Sequence, residues 1–125
     1  MTDIVWLLEE TVLALHDEQI AEHGGGDGVR DRGLLESALN RPHQLQHYGD
    51  PDIFELAAAY GFGLIKNHPF IDGNKRVAFV VTETFLLLNG IVLTANDENC
   101  VTTMLQLAAS EITESDFADW LTKNS

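Results

Sequence analysis

Hydrophobic residues recur at three- and four-residue spacing along much of the chain, a pattern that predicts helices rather than strands. The first run extends from about Asp3 to His23. Its hydrophobic residues share one face: Ile4, Leu7, Leu8, Val12 and Leu15. The stretch "GGGDG" at 24–28 then supplies glycines that favour a turn at a helix end. We therefore predict an amphipathic first helix from about Asp3 to His23.

Caps and prolines predict two further helices. Asp31 can cap a short helix, and Pro42 is expected to end it because the residue before a proline is pushed out of helical conformation. The following stretch "RPHQLQHYGD", at 41–50, then indicates a loop. Asp50 and Pro51 resemble a cap and a first-turn proline, so the next helix is predicted to start there and to stop at His68.

Residues 74–88 present a conflict between local propensity and length. The β-branched residues at 77, 80, 81, 82 and 84 favour a strand locally. Fifteen unbroken residues are too many for an ordinary strand, and an apolar surface nearly all round is typical of a buried helix. We predict a buried central helix over 74–88, followed by a short extended piece at "IVLTA".

Capping residues predict the last two helices. Asn96 or Asp97 can cap the first of them, and Thr113 with Asp116 three residues later resembles a capping box that opens the second. The predicted fold class is all-α, a compact single domain spanning 1–125 with about six helices around a buried one that follows the loop at 67–73.

Composition narrows the setting. A chain of 125 residues with 45% hydrophobic content suits one domain with a real core. The single Cys100 excludes an internal disulfide, which fits a reducing compartment. Acidic residues in "MTDIVWLLEE" stand where a secretion signal needs basic ones, and Glu83 interrupts the longest apolar run. We expect a cytoplasmic protein without a membrane partner.

The charge distribution points to a local site for anions. A formal net charge of −13 argues against direct nucleic-acid binding, because phosphates would be repelled. Six of the seven cations nevertheless lie in the middle of the chain: Arg30, Arg32, Arg41, Lys66, Lys75 and Arg76. This clustering favours a local anion site, although each cation can also be a solvated surface charge.

The loop "NHPFIDGNKR", residues 67–76, lies between two predicted helices. The first turn of a helix has unpaired N–H groups, so Gly73, Asn74 and Lys75 can present backbone amides to an anion. Gly73 allows close backbone approach, and Lys75 and Arg76 add charges suited to phosphate oxygens. These residues together predict a phosphate-binding turn.

The same loop carries groups for chemistry on a phosphate. Asp72 can hold Mg²⁺, which takes one or two carboxylates and completes its shell with water and substrate phosphates. His68 can accept a proton near neutral pH, and Phe70 is expected to anchor the loop in the core. Taken singly, His68 is also explained as a surface or capping residue, and Asp72 as a turn residue or helix cap. Their combination favours attack by a hydroxyl on a nucleotide phosphate.

The stretch "HPFIDGNKR" resembles the signature of the Fic/Doc superfamily. That family has a compact all-α fold with the motif between two central helices. The resemblance implies that His68 is the base, Phe70 the buried anchor and Asp72 the Mg²⁺ ligand. It also implies a nucleotide phosphate-binding turn made by Gly73, Asn74, Lys75 and Arg76.

Two departures from the signature resemble the Doc, or death-on-curing, branch. Fic adenylyltransferases usually have glycine at the place of Lys75 and often arginine at that of Phe79. The resemblance implies a toxin of a type II toxin–antitoxin pair, a kinase that uses ATP and Mg²⁺ to phosphorylate a Thr of elongation factor Tu and so blocks translation. Its implied partner is a Phd-type antitoxin. The alternatives are AMP transfer to a protein hydroxyl, and a catalytically silent phosphate- or partner-binding module.

Other residues are left with open roles. The stretch "RDRGLLESALNRP" is also similar to Doc-like chains, and Arg41 within it is either a nucleotide or substrate contact or a cation at a helix C-terminus. Glu83 must face solvent or meet a buried partner, because an unpaired buried carboxylate is unfavourable. The spacing of the remaining histidines predicts no transition-metal site: His16, His23, His43 and His47.

Overall fold

The computed structural model describes residues 3–125, and this range contains six helices and no strand. They are α1 (Glu9–His23), α2 (Arg32–Tyr48), α3 (Ile53–Asn67), α4 (Asn74–Leu88), α5 (Asp97–Ala108) and α6 (Glu114–Lys123). One isolated bridge pairs Val29 with Phe70. The predicted all-α fold with about six helices is confirmed.

Helices α3 and α4 form the centre of the molecule. Helix α3 packs against α2, α4 and α6, while α4 also contacts α1 and α5. The middle of α3, from Leu56 to Gly61, is buried, and Val77, Val81 and Phe85 bury one face of α4. The loop predicted to carry the chemistry therefore joins the two most central helices.

Two glycines of α3 let its neighbours approach closely. A Cβ on Gly63 would lie 3.1 Å from the carbonyl oxygen of Ala38 in α2. A Cβ on Gly61 would lie 2.5 Å from Thr82 Oγ1 in α4 and 3.0 Å from Phe117 Cε2 in α6. Glycine normally destabilises a helix interior. Here it allows three helices to pack on α3 at short distance.

The predicted start of α1 at Asp3 is wrong, since the helix begins at Glu9. Residues 3–8 are not helical, because distant groups take up their hydrogen bonds. The Val5 N–H donates to Asn89 Oδ1 at 2.9 Å, and Asn89 Nδ2 donates to the Val5 carbonyl at 3.0 Å. The Leu7 N–H donates to the Tyr60 hydroxyl at 3.2 Å. Periodicity within the segment does not reveal these partners.

The predicted end of α2 at Pro42 is also wrong. The helix continues to Tyr48, with Pro42 buried inside it, and the stretch expected to be a loop is mostly helical. A proline removes one helix hydrogen bond and crowds the carbonyl four residues earlier. That carbonyl belongs to Ala38, whose backbone packs against Gly63 of α3. Packing against α3 thus overrides the local preference.

The start of α3 is two residues later than predicted. Apart from the start of α1 and the end of α2, the remaining predicted boundaries agree closely with the structure. The cap is Asp52, whose Oδ1 accepts from the Glu55 N–H at 2.8 Å, so Asp50 and Pro51 precede the helix. Helix α3 ends at Asn67 with His68 as its C-cap, as predicted. The predicted range of α4 and the predicted caps of α5 and α6 are confirmed. Residues 91–95 form no strand.

Within residues 3–125, no helix combines the length and the apolar character needed to cross a membrane.

Candidate active site

Two left-handed backbone positions shape the loop between α3 and α4. His68 caps α3 with φ 52°, and its N–H donates to the Leu64 carbonyl at 3.1 Å. Gly73 caps α4 with φ 78°. These two positions reverse the chain between the central helices. As a result, the side chains of His68 and Asn74 meet at the start of α4.

Asn74 fixes the shape of this loop from inside. Its side chain is buried, its Oδ1 accepts from the Phe70 N–H at 3.0 Å, and its Nδ2 donates to the Phe70 carbonyl at 3.0 Å. The same Nδ2 lies 3.1 Å from His68 Nδ1. Since an amide nitrogen can only donate, Nδ1 accepts, and the neutral imidazole carries its proton on Nε2. Sequence reasoning assigned Asn74 a backbone role and missed this side-chain role.

Phe70 anchors the loop in the core, in the position predicted for it. Its ring is fully buried and stacks on His16 of α1 with centroids 3.9 Å apart and planes 8° apart. His16 is 1% exposed, and its Nε2 lies 2.8 Å from the Asp72 carbonyl oxygen, to which it donates. Sequence reasoning missed His16, although its place four residues after buried Val12 puts it on the hydrophobic face of α1.

The segment 28–31 pairs with the loop from the opposite side. The Ile71 N–H donates to the Gly28 carbonyl at 3.1 Å, and the Arg30 N–H donates to the Pro69 carbonyl at 2.7 Å. The Arg30 guanidinium donates to the His68 carbonyl at 2.6 and 2.8 Å and to the Asn67 carbonyl at 3.1 Å. It therefore satisfies the last carbonyls of α3, where a cation is electrostatically favoured.

Asp72 offers a carboxylate of the kind that magnesium uses. Its Oδ2 accepts from the Gly26 N–H at 2.6 Å, and its Oδ1 has no hydrogen-bond partner among residues 3–125. Mg²⁺ is commonly held by one or two carboxylates, with waters and substrate phosphates completing its shell. A single exposed carboxylate with one oxygen available beside a phosphate-binding turn fits a magnesium ion that arrives with a nucleotide.

The start of α4 presents unpaired amides. The first bond of this helix runs from the Val77 N–H to the Gly73 carbonyl at 2.9 Å, so the N–H groups of Asn74, Lys75 and Arg76 have no partner in the described chain. The positive φ of Gly73 favours glycine, and a Cβ there would lie 3.3 Å from Ile20 Cδ1. Free amides at a helix N-terminus bind anions.

The structure brings six predicted residues together around one cavity. This cavity has a volume of about 430 Å³. It is lined by His68, Asp72, Gly73, Asn74, Lys75 and Arg76, together with His23, Gly24 and Gly25. Phe70 lies behind this surface in the core. Of the residues predicted for the site, Arg41 alone lies elsewhere.

Arg41 pairs with α6 instead of joining the site. Its Nε donates to Glu114 Oε2 at 3.1 Å, its terminal nitrogen contacts Glu114 Oε1, and its guanidinium lies 4.8 Å from the Phe62 ring centroid. Hydrogen bonding to Glu114 raises the pKa of Arg41 further. Arg41 lines a separate cavity with Tyr48 and Glu114. Arg41 thus links α2 to α6 and takes no part in the cavity at the start of α4.

A second cavity, of about 380 Å³, adjoins the first and is mostly apolar. We call it the α4–α5 groove. It is lined by Gln19, His23, Lys75, Arg76, Phe79, Val80, Cys100, Val101, Met104 and Leu105. Val101 and Leu105 are 59% and 52% exposed. Lys75 and Arg76 line both cavities, so the groove runs directly into the phosphate-binding turn.

Glu83 lies near the thiol of this groove and has no ion-pair partner among residues 3–125. Its side chain is half-buried on α4. Burial raises the pKa of the Cys100 thiol, and the carboxylates of Glu83 and Asp97 raise it further. Glu83 therefore faces α5 rather than a buried cation, and Cys100 is a poorly reactive thiol.

One grouping departs from the prediction that the histidines form no metal-binding arrangement. Ligand atoms of His16, Asp17 and Asp27 lie within 4.8 Å of one another. Both carboxylates are exposed, and the Nε2 of His16 already binds the Asp72 carbonyl. We assign no metal to this grouping.

A helical fold whose two central helices are joined by a loop that presents His68, Asp72 and free amides defines a class of protein. A sequence model of the Fic/DOC family matches residues 6–86, and the chain belongs to that family. It is 34% identical over 113 residues to "Protein kinase doc" of Escherichia phage P1, covering 90% of this chain and 89% of that protein. It is 43% identical over 75 residues to "Toxin Doc" of Mycolicibacterium smegmatis, covering 58% of each chain.

Proposed function

We propose that this protein is a Doc-type toxin of a toxin–antitoxin pair, acting as a protein kinase. It would transfer the γ-phosphoryl group of ATP to a Thr hydroxyl of elongation factor Tu and so block translation. The observation that carries this proposal is the position of His68 beside the three unpaired amides of α4. The names of the two relatives, a toxin and a protein kinase, support it.

The amides of Asn74, Lys75 and Arg76 would bind phosphate oxygens, with the two exposed cations adding charge. Asp72 would hold Mg²⁺, which supplies neutralisation of the negative charge that develops on the transferred phosphoryl and leaving groups. Preorganised donors at the point where charge develops are the largest contribution in such reactions. The chain therefore acts mainly by positioning and by electrostatic stabilisation.

His68 would accept the proton of the incoming hydroxyl. This role needs a lone pair on Nε2, whereas the contact with Asn74 keeps the ring proton there. Shifting the proton to Nδ1 would set that N–H against the Asn74 amide N–H, and leaving a donor unpaired costs about 1–3 kcal/mol. Phosphoryl transfer usually has a loose transition state that depends chiefly on positioning. A tautomer cost of this size at His68 is compatible with that demand.

Lys75 favours transfer of the γ-phosphoryl group over transfer of AMP. A glycine at this position would leave room for an α-phosphate deep against the helix N-terminus. Lys75 is exposed and lines the cavity at that turn, where a long cation favours the more negatively charged terminal phosphates. The incoming hydroxyl beside His68 would then meet the γ-phosphorus.

The test uses purified protein, elongation factor Tu, and ATP labelled on either the α- or the γ-phosphate. Label should reach the factor only from the γ position, and its mass should rise by one phosphate on a Thr. The variant His68→Ala should transfer no label, whereas His47→Ala, a histidine outside the cavity, should match the unchanged protein. Transfer from the α position would indicate the alternative adenylyltransferase. No transfer from either position would favour the binding module.

We also propose that a Phd-type antitoxin inhibits the protein by placing an amphipathic helix in the α4–α5 groove. Helix-in-groove recognition requires spaced apolar contacts on the receiving surface, which Phe79, Val101 and Leu105 supply. The formal net charge of −13 favours Lys or Arg at the rim of that helix. Because Lys75 and Arg76 line both cavities, a helix seated there would lie against the phosphate-binding turn.

A further inference from the structure

We infer that Gly26, in the glycine-rich segment 24–28, is a positioning residue for Asp72. Its backbone N–H binds one oxygen of the Asp72 carboxylate, Oδ2, so that the other, Oδ1, is left available to the cavity. This inference rests on the proposed function, since it takes Asp72 to be the Mg²⁺ ligand. It adds a group that lies 46 residues before Asp72 and outside the loop that carries the chemistry.

The hydrogen bond is short and charge-assisted. The Gly26 nitrogen lies 2.6 Å from Asp72 Oδ2, and bonds from N–H groups to carboxylates are about twice as strong as neutral ones. Because Oδ2 accepts this hydrogen bond, rotation of the carboxylate about the Cβ–Cγ bond of Asp72 would break the contact. Oδ1, which has no partner among residues 3–125, remains the oxygen available to a metal ion.

The segment approaches Asp72 more closely than a side chain would permit. A Cβ on Gly26 would lie 2.8 Å from Ile71 Cγ2 and 3.0 Å from Asp72 Oδ2. A Cβ on Gly25 would lie 3.2 Å from Asp72 Cβ, and Gly25 also has φ 117°. Glycine is thus favoured at both positions where backbone meets the carboxylate, by crowding at Gly26 and chiefly by conformation at Gly25.

The main chain around Asp72 is held independently of Gly26. His16 donates to the Asp72 carbonyl at 2.8 Å, and the Ile71 N–H donates to the Gly28 carbonyl at 3.1 Å. With the backbone fixed, the Gly26 contact controls chiefly the direction of the carboxylate. Groups that orient a metal-binding carboxylate in this way typically alter metal affinity by about 10- to 100-fold when removed.

The experiment measures the gain in nucleotide affinity that Mg²⁺ provides. Calorimetry gives Kd for a non-hydrolysable ATP analogue with Mg²⁺ and with chelator. The Kd in chelator divided by the Kd in Mg²⁺ is the gain in affinity that the metal contact provides. Gly26→Ala should reduce this ratio about tenfold while leaving affinity in chelator unchanged. Gly49→Ala is the control, because a Cβ there meets only the Leu45 carbonyl at 3.4 Å.

Asp72→Asn should bring this ratio close to one. Adding Gly26→Ala to Asp72→Asn should change the ratio no further. If Gly26→Ala unfolds the protein, adding Ile71→Ala removes the 2.8 Å clash at a half-exposed side chain and restores a measurable variant. If the ratio is unchanged in Gly26→Ala but close to one in Asp72→Asn, the positioning role of Gly26 is refuted while the metal role of Asp72 stands. A normal ratio in Asp72→Asn would overturn the metal role of Asp72 as well.

Discussion

His68 occupies a backbone conformation that residues with a side chain seldom adopt. Its φ of 52° is left-handed, and this conformation costs about 1–2 kcal/mol for residues other than glycine. Glycine is the usual residue at such a helix end. Arg30 on the His68 carbonyl and Asn74 on its ring help to hold this strained position. An imidazole retained where glycine would be more stable indicates a functional requirement.

We predict that His68→Gly and His68→Ala both abolish growth inhibition when the protein is expressed without antitoxin. Both variants lack the ring, but only glycine relieves the strained φ, so His68→Gly should unfold with about 1 kcal/mol more free energy than His68→Ala. Urea denaturation measures that difference, and growth curves at matched soluble levels measure toxicity. Full toxicity of His68→Ala would contradict a catalytic role for His68.

Some residues of the site are contiguous in the sequence, whereas others come from distant parts of the chain. Those from His68 to Arg76 are contiguous, so their types and the predicted helix start were enough to propose a phosphate-binding turn. His16 and Gly26 contact the same Asp72 from elsewhere in the chain, and no local pattern pairs them with it. Arg41 lies in a stretch similar to the family, yet its position is set by Glu114 of α6.

At the scale of helices, local and distant determinants can be separated. The caps Asn96 and Thr113 act on the next few residues, so the sequence predicted them. The continuation of α2 through Pro42 depends on packing against α3, and residues 3–8 depend on hydrogen bonds to Asn89 and Tyr60. Sequence periodicity contains no information about such partners. Tertiary contacts therefore set two of the boundaries that were predicted wrongly, whereas at the start of α3 the local capping box of Asp52 and Glu55 was overlooked.

We predict that Gly61→Ala destabilises the protein although alanine is the better helix former. The added Cβ would lie 2.5 Å from Thr82 Oγ1 and 3.0 Å from Phe117 Cε2. Overpacking of this kind costs about 1–3 kcal/mol, which exceeds the gain of about 1 kcal/mol from helix propensity. Urea denaturation should give a net loss of about 1–2 kcal/mol in the free energy of unfolding.

Two comparisons test the cause. Gly33→Ala, on the exposed face of α2, sets a Cβ 3.3 Å from the exposed Asp31 Oδ1 and should change stability less than Gly61→Ala. Gly61→Ala should be less harmful in a Thr82→Ala background, which removes the nearest clashing atom. A stabilising Gly61→Ala would show that α3 does not need glycine there.

At the scale of the whole molecule, charge and apolar surface are arranged around one end of α4. The chain has a formal net charge of −13, yet Lys75 and Arg76 line both cavities there. The groove beside them exposes Val101 and Leu105. A partner that combines an apolar helix face with basic residues matches the groove and the negative net charge of the whole chain.

We predict that Val101→Asp weakens antitoxin binding at least tenfold, about 1.4 kcal/mol, because a carboxylate would face the apolar side of the bound helix. Val92→Asp is the matched control, since Val92 is 63% exposed and lies outside the groove. Both variants should keep kinase activity. Calorimetry with the antitoxin measures the affinities. Equal binding by the two variants, or a bound antitoxin far from α4 and α5, would refute the groove assignment.

The packing of α6 on α3 has a consequence for the timing of toxicity. Phe117 and Leu121 are fully buried, and Phe117 lies beside Gly61 at the middle of α3. Chains emerge from the ribosome N-terminal end first, so residues 114–123 become available only after the whole of α3 has been made. Until α6 docks, the middle of α3 lacks part of its core packing. The proposed toxicity is therefore expected only after α6, the last of the six described helices to emerge, has docked on α3.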